Sequence, residues 1–513
     1  MTVDCILLYG DDLIPTSKYA GTFRIATELR NHGYSVQCID LAAYKSLDKE
    51  FLEVLDALIG DNTLWVGVST TFMYSVFGYP YYKSKSTFDK KYAQQPEISK
   101  GIEFFVDFVK KKNPNTKLVA GGSRRFMLDL FGFKIFRMNS DTEIIEYTDM
   151  LAKKTSKNLI KYLPNVIDGS EFKDFTSSQI LYQTNDIIDI NDTLPLEVSR
   201  GCIFKCKFCS FPLNGKKKGE WVKHSNILLD EFNRNYELHG VTNYVFSDDT
   251  YNDSEEKVKR LYDDVYSKLK FKVNFTTYLR LDLMMRFPDT VEYLKESGLK
   301  STLFGIETIN HDSGKAIGKG VYPLLQFQFI EELKKNHFKD ILTYSGFIMG
   351  LPKDTHDDMM KLEEFLFSDK NKLDDFIVEP LYITPNHIES VSRTYYSEFD
   401  LEYEKYGYEC YEQIEDSAFT EIRWKNHLTG MNFDESFAFS RRLNERIRHS
   451  DKHKFGGFGY AWLRSIGIDS IDLLTLSKVK LAAKYNIQQL KEKKKEQYKI
   501  KLLNLVKGKS SDL

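Results

Sequence analysis

The sequence predicts an α/β protein with a Rossmann-like amino-terminal domain, a partial (β/α)6 TIM-like barrel and an α-rich carboxy-terminal segment. Three observations carry this expectation. Short apolar strands alternate with amphipathic helices in two successive runs, a polar passage separates the runs, and a helical, lysine-heavy tail follows them. The boundaries read this way are 1–150 for the first domain, 151–192 for a connector, 193–385 for the barrel and 386–513 for the last segment.

In the first run, "CILLYG" is a continuous apolar strand. The amphipathic "GTFRIATELRNHG" follows it and closes on Gly33, a helix C-cap signal. "YSVQCIDL", "FLEVLDALIG", "LWVGVSTT", a helix near "ISKGIEFFVDFVKKKN" and "KLVAGGS" continue the alternation. Buried strands joined by helices make a parallel sheet covered on both faces, and ligands of such sheets bind at the carboxyl ends of the strands. Those ends carry Gly10-Asp11-Asp12, Ser69-Thr70-Thr71 and Gly121-Gly122-Ser123. "YPYYKSKSTFDKKYAQQ" is too long for a simple connection and predicts a lid or an insertion.

The second run supplies six strands: "LPLEVSR", "TNYVFSDDT", "KVNFTTYLR", "STLFGIET", "ILTYSGFIMG" and "FIVEPLYIT". Helical patterns such as "SNILLDEFNRNYELHG" and "LLQFQFIEELKKN" lie between them. Six β/α units place chemistry at the carboxyl ends of the strands. Beyond about 390 the chain is aromatic-rich, and Trp424 reads as a core aromatic, with closure of the barrel mouth as the other reading. The tail "LAAKYNIQQLKEKKKEQYKIKLLNLVKGK" carries a stripe of Leu490, Ile500, Leu503 and Val506, which predicts a docking helix.

Composition narrows the function classes. A formal charge of −2 over 513 residues gives no global electrostatic reason to expect nucleic acid or an anionic membrane as partner. No apolar run approaches the roughly 20 residues that span a bilayer, and "MTVDCILLYGDD" reads as a strand rather than a signal peptide. Six cysteines in so long a chain do not form a disulfide framework. A cytoplasmic location is expected, with the clustered thiols serving a metal or a cluster.

Three of those cysteines lie in "SRGCIFKCKFCSF": Cys202, Cys206 and Cys209, spaced C-x3-C-x2-C. A structural zinc site wants four ligands, and no Cys or His stands at knuckle distance to complete one; His224 is the nearest histidine and Cys410 a distant thiol. Three thiolates suit a [4Fe-4S] cluster whose fourth iron stays open. Gly201 lets the chain turn tightly into the loop, and Phe208 can shield a cluster from water. A non-catalytic zinc- or cluster-binding interaction protein is the alternative reading.

The triad resembles the hallmark of the radical S-adenosylmethionine (SAM) superfamily, C-x3-C-x-(aromatic)-C on the loop after the first barrel strand. The resemblance covers about 193–385, and further segments match in order. It implies that Ser247, Asp248 and Asp249 of "YVFSDDT" meet the SAM amine. It also implies that Arg280 of "YLRLD" stands at the end of the third strand with Asp282, and that Glu307 of "LFGIET" lies near the ribose or carboxylate. Gly346, Ile348 and Gly350 of "GFIMGLPKD" would let backbone approach the adenine. Taken singly, Asp248 and Asp249 could instead cap the following helix, and Glu307 could be an ion-pair partner. The resemblance implies reduction of the cluster by a one-electron donor, flavodoxin- or ferredoxin-like, then reductive cleavage of SAM and radical attack on a substrate that the sequence does not identify.

Residues 1–150 resemble the cobalamin-binding-type domain that precedes many such barrels, through "PTSKYAGTFRIATELRNHGYSVQCIDL", "VGVSTTF" and "LVAGGS". The resemblance implies cobalamin as a second cofactor. The D-x-H-x-x-G histidine is absent from "GDDLIPTSKYAG", however, so a scaffold that only shapes the substrate pocket stays open beside it. No G-x-G-x-x-G follows the first strand. The methylthiotransferase branch would need three more amino-terminal cysteines, where only Cys5 and Cys38 stand. Lys216, Lys217 and Lys218, just past the cysteine loop, read as a solvated loop or as a phosphate contact.

Overall fold

The structure is a computed structural model. It describes residues 1–10, 17–44, 47–70, 96–122, 128–137, 140–155, 159–169, 175–211, 213–385, 396–414 and 421–508. The stretch expected to form a lid, residues 79–95, lies outside the described residues, as do Asp11, Asp12, Thr71 and Ser123.

The first sheet has six parallel strands: β1 (Cys5–Tyr9), β2 (Val36–Asp40), β3 (Trp65–Ser69), β4 (Lys117–Gly121), β5 (Lys134–Arg137) and β6 (Val166–Asp168), in the order 2-1-3-4-5-6. The alternation of β1 explains its two-sided burial. Cys5, Leu7 and Tyr9 enter a core that continues into the barrel, whereas Ile6 and Leu8 enter a separate core on the opposite face. "FLEVLDALIG" forms the helix Lys49–Leu58, capped by the Asp48 carboxylate on the Phe51 amide. Strand β6 falls in the stretch read as connector, which was too short and too weakly apolar to signal a strand.

The second sheet is also six-stranded and parallel: β7 (Thr193–Leu196), β8 (Asn243–Phe246), β9 (Asn274–Leu279), β10 (Leu299–Glu307), β11 (Leu342–Met349) and β12 (Asp375–Pro380), in sequential order. Strands β7 and β12 are the sheet's two edges, so the barrel is partial. On β10 to β12 fully buried residues such as Phe304, Ile306, Phe347 and Val378 alternate with half-buried Leu303, Gly305, Glu307, Tyr344, Gly346, Ile348, Ile377 and Glu379. The first set packs under the helices, and the second faces the barrel interior.

Helix Phe458–Ser465 packs at the opposite end from the cysteine loop. The Thr193 hydroxyl donates to the Ala461 carbonyl (2.8 Å), Leu342 packs with Tyr460 and Leu463, and the Phe458 ring meets Tyr278 at 4.9 Å. A hairpin of β13 (Tyr408–Ile414) and β14 (Glu421–Asn426) was not expected in the α-rich segment. The last helix, Ile487–Val506, returns to the first domain. Of the expected stripe, Val506 is buried, Leu503 and Leu490 pack partly buried against the cores and Ile500 is exposed; the buried line along the helix is Lys494, Tyr498, Leu502 and Val506. The Tyr498 hydroxyl accepts from the Asp40 amide (2.9 Å), and buried Lys494 pairs with Asp189 and Asp192 of the connector (2.8 and 2.6 Å). Polar side chains that find buried partners override an apolar-only reading of periodicity.

Candidate active site

Strand β7 delivers the chain into the cysteine loop through a buried clamp. The Asp248 carboxylate accepts from the amides of Val198 and Ser199 and from the Ser199 hydroxyl. Lys257 donates to the same hydroxyl (2.9 Å) and pairs with Asp253 (2.8 Å), which also pairs with Lys216 (3.3 Å). Both readings offered for Asp248 are thereby displaced: its oxygens are fully buried in this clamp, and the following helix is capped by Ser254 instead. Lys216 is likewise no solvated loop residue, because its side chain is buried against Asp253, while Lys217 and Lys218 are exposed. Gly201 enters the loop at φ +74°, where an added Cβ would stand 2.6 Å from the Leu213 carbonyl oxygen.

Cys202, Cys206 and Cys209 are half-buried free thiols, and each sulfur meets a protein donor. The Phe204 amide (3.5 Å) reaches Cys202 Sγ, Arg280 Nη1 reaches Cys206 Sγ (3.7 Å), and Asn214 Nδ2 reaches Cys209 Sγ (3.2 Å); Thr250 Oγ1, which donates to the Asp249 carbonyl, lies 3.1 Å from Cys202 Sγ. Donors aimed at sulfur stabilise anionic thiolates and tune the potential of a cluster they hold. Among the described residues no three His, Cys, Asp or Glu side chains are grouped so that they could hold a single metal ion. Three such thiols, with no fourth ligand among the described residues, fit a cluster that keeps one iron open better than a closed tetrahedral ion.

Arg280 is fixed on every side. Asn252 Oδ1 accepts from its amide (2.8 Å), Asn252 Nδ2 donates to its carbonyl (2.9 Å), and Asp282 accepts from Nε (2.8 Å) and Nη2. The Phe204 ring stacks on its guanidinium at 3.9 Å. Burial raises the Asp282 carboxyl, but Arg280 and the field of Lys319 more than offset that and hold it below its ordinary range.

Glu307 sits at a register shift between Phe304 and Glu307, with φ +73°. A non-glycine residue in the left-handed region is strained, and a bulge re-aims its side chain toward the interior. Lys319 answers it, pairing with Glu307 at 3.5 Å and donating to the Gly305 carbonyl at 2.7 Å. The turn before Lys319 touches the cysteine loop: the Lys207 amide donates to the Ile317 carbonyl (3.2 Å), and an added Cβ on Gly318 would stand 3.9 Å from Cys206 Cα. Lys319 was missed from sequence because nothing in "AIGKGVYP" marks it; only the fold brings it to Glu307.

The remaining expected residues divide. Ser247 is exposed at the end of β8, and Asp249 accepts from the Gly201 amide (3.1 Å), with burial and then neighbouring Asp248 pushing its carboxyl up to about 6. Gly346 and Ile348 line the interior, and a Cβ on Gly346 would meet only Ile377 Cγ2 at 3.9 Å. Gly350 does not belong with them. At φ +90°, its added Cβ would fall 2.2 Å from the Trp424 indole, and its carbonyl accepts from the Tyr408 hydroxyl (2.7 Å). That glycine seats the buried Trp424 in the core, in place of the expected approach to adenine.

The amino-terminal sheet has its own opening at its carboxyl edge. A cavity of about 230 Å³ is lined by Thr22, Arg24, Trp65, Ser69, Gly121, Gly122 and others from β1, β3, β4 and β5. The Thr22 hydroxyl is buried there without a hydrogen-bond partner, which costs about 1–3 kcal/mol if nothing occupies the space. Side-chain-free walls at Gly121 and Gly122 and this orphaned donor fit a hydrogen-bonding appendage of a large cofactor. The preceding loop offers no histidine, and Lys18 turns away to the Ile187 carbonyl (2.9 Å) and the Tyr498 ring (5.2 Å).

The chain is similar to known proteins in its barrel sequence and in its overall fold. Residues 196–366 match the Radical SAM superfamily model. The chain is 26% identical over 165 residues to an uncharacterized methyltransferase of Pyrococcus horikoshii, covering 31% of this chain and 34% of that one. It is 22% identical over 218 residues to the bacteriochlorophyllide d C-12(1)-methyltransferase of Chlorobaculum tepidum, covering 42% and 46%. The chain thus spans between a third and a half of these relatives. Among solved structures, the radical SAM methyltransferase TsrM of Kitasatospora setae, with cobalamin and a [4Fe-4S] cluster bound, superposes with TM-score 0.58 at 12% identity over 98% of this chain and 100% of that one. The cobalamin-dependent radical SAM enzyme OxsB superposes with TM-score 0.54 at 14% identity over 87% and 61%.

Proposed function

From a chain whose residues 196–366 match the Radical SAM superfamily model and follow a Rossmann-like domain, we propose SAM-dependent methylation of an unidentified acceptor, with a [4Fe-4S] cluster on Cys202, Cys206 and Cys209. In this reading the amino-terminal cavity holds a corrinoid. The observation that carries the reading is the donor set around the three sulfurs at the mouth of a partial barrel. The methyltransferase names of two relatives and of one structural neighbour support the reaction class.

A bound cluster supplies the electron for SAM cleavage. The chain's residues do the rest. The Phe204 amide, Arg280 and Asn214 would donate hydrogen bonds to the sulfurs of such a cluster. Ser247, Asp249 and Glu307 offer acceptors for the SAM amine and hydroxyls, and Lys319 pairs with Glu307 and keeps it aimed inward. Gly346 leaves room for a planar base, and Phe204 and Phe208 exclude water from the loop. A one-electron reductant of the flavodoxin or ferredoxin class is the expected partner. No helix among the described residues is long and apolar enough to cross a membrane. A cytoplasmic site of action belongs to the same proposal.

Anaerobic reconstitution tests the proposal. The protein should turn brown, absorb near ~400 nm, and retain a stoichiometric corrinoid through gel filtration. A brown protein that takes no corrinoid would keep the radical SAM chemistry and remove the methylation reading.

A further inference from the structure

Four charged side chains run in a row between the two sheets. Arg24, on helix Ala20–Asn31, pairs with Asp141 at the start of helix Asp141–Leu151 and reaches Glu197 across the domain boundary at 3.7 Å. Glu197 stands just past β7, and Arg200 holds its other side through Nε and Nη2 at 3.1–3.3 Å. Arg200 stacks on Phe175 at 4.6 Å and is followed directly by Gly201 and Cys202. The row therefore begins at the amino-terminal cavity and ends at the cysteine loop.

Arg24 is the member that touches both. It lines the 230 Å³ cavity, and with Arg200, Asp141 and Phe175 it lines a second, polar cleft of about 170 Å³. Its side chain is only 11% exposed and that of Glu197 15%, so the pair is not a screened surface contact. Its Nε has no hydrogen-bond partner among the described residues, so the guanidinium is oriented by charge: Asp141 and Glu197 pair with it, Glu28 adds attraction, and Arg200 repels it. Removing one partner from such a half-buried row leaves an uncompensated charge and forces the neighbours to move.

We propose that Arg24 is a positioning residue that fixes the cysteine loop from the amino-terminal domain, so that whatever fills the amino-terminal cavity acts on the loop through Glu197 and Arg200. The mechanical link is a property of the chain itself; only the identity of the two cargoes rests on the function proposed above. A group seated in the cavity packs against Arg24, a shift of that guanidinium re-sets Glu197, and Glu197 carries the shift to the residue before Gly201.

Hydrogen exchange on the full chain without cofactors tests the link. Arg24→Gln and Glu197→Gln should each speed exchange of the amides in 198–209 by about 5- to 30-fold. The double variant should exceed neither single, and Arg24→Lys should restore part of the protection. Glu197→Gln approaches the row from the barrel side, so a folding defect specific to Arg24→Gln cannot decide the matter. Unchanged loop exchange in folded Arg24→Gln, or additive effects in the double variant, overturns the proposal. In the reconstituted protein, hydroxocobalamin should alter the electron paramagnetic resonance (EPR) signal of the reduced cluster in the wild type and not in Arg24→Gln. A loaded Arg24→Gln that still responds overturns the coupling. A wild type that takes no corrinoid refutes the corrinoid reading, and the exchange data then decide the link by themselves.

Discussion

The two sheets are built alike and finished differently. Each has six parallel strands with its opening at the carboxyl edge, yet the first ends in glycines and a serine around a cavity, and the second ends in charges around three sulfurs. Their cysteines make the contrast sharpest. Cys5 and Cys38 are strand residues packed in the core, where burial pushes both thiols well above their ordinary value and leaves them inert. Cys202, Cys206 and Cys209 sit half-buried on a loop, each with a donor on its sulfur. The fold supplies a position for chemistry; the loop after a strand, not the strand, decides which chemistry it is.

The largest effect that could break this contrast is a thiol swap. Cys206→Ala should lower cluster iron and 5′-deoxyadenosine formation by at least about 100-fold, whereas Cys38→Ala should leave iron content within about 2-fold of wild type. Equal losses in both would erase the distinction. Next in size is the donor shell. Arg280→Gln removes the donor on Cys206 Sγ and the partner of Asp282. A drop of about 10- to 100-fold in SAM cleavage is expected, with Arg280→Lys recovering only part because it lacks the fork that Asp282 binds.

Two glycines on one strand end sharpen the line between core and cavity. Gly350→Ala should cost about 2–4 kcal/mol, because its Cβ meets the Trp424 ring at a left-handed φ. Gly346→Ala should cost under about 1 kcal/mol and instead weaken SAM binding. Thermal unfolding and SAM titration read both; a stable Gly350→Ala would return that residue to the cavity wall.

The smallest effect is in pH. Asp354 is buried under the β11 turn, bonded to Ser313 and to the amides of Gly350 and Leu351, and burial pushes its carboxyl up to about 7. Its folded value lies above its unfolded one, so the fold prefers the protonated form. The associated stability is complete below about pH 4 and fades as pH rises toward 7. Asp354→Asn should flatten the Tm profile across that window, and an unaltered slope would locate the titration elsewhere.

Both alternating runs, all six barrel strands and the cysteine triad were legible because strand period, caps and clustered thiols are local signals. What was not legible depends on contacts far apart in sequence. Asp248 could be seen as polar at a strand end, but not that Ser199, 49 residues away, would take its oxygens. Gly350 looked like its neighbour Gly346 until the fold brought Trp424 onto it. Lys319 and Arg24 carry no motif, and their roles follow from Glu307 and Glu197, partners that lie on other elements. The β13–β14 hairpin and the Tyr498 stripe were hidden for a related reason, since both bury polar and aromatic residues that a purely apolar pattern passes over.

The central claim is that the three thiols hold a cluster with one iron open to SAM. EPR of the anaerobically reconstituted, dithionite-reduced protein, recorded before and after adding SAM, addresses it most directly. The account predicts a reduced [4Fe-4S] signal whose shape changes on SAM addition and which disappears in Cys206→Ala. A colourless protein with one zinc per chain, or a cluster signal indifferent to SAM, would contradict it.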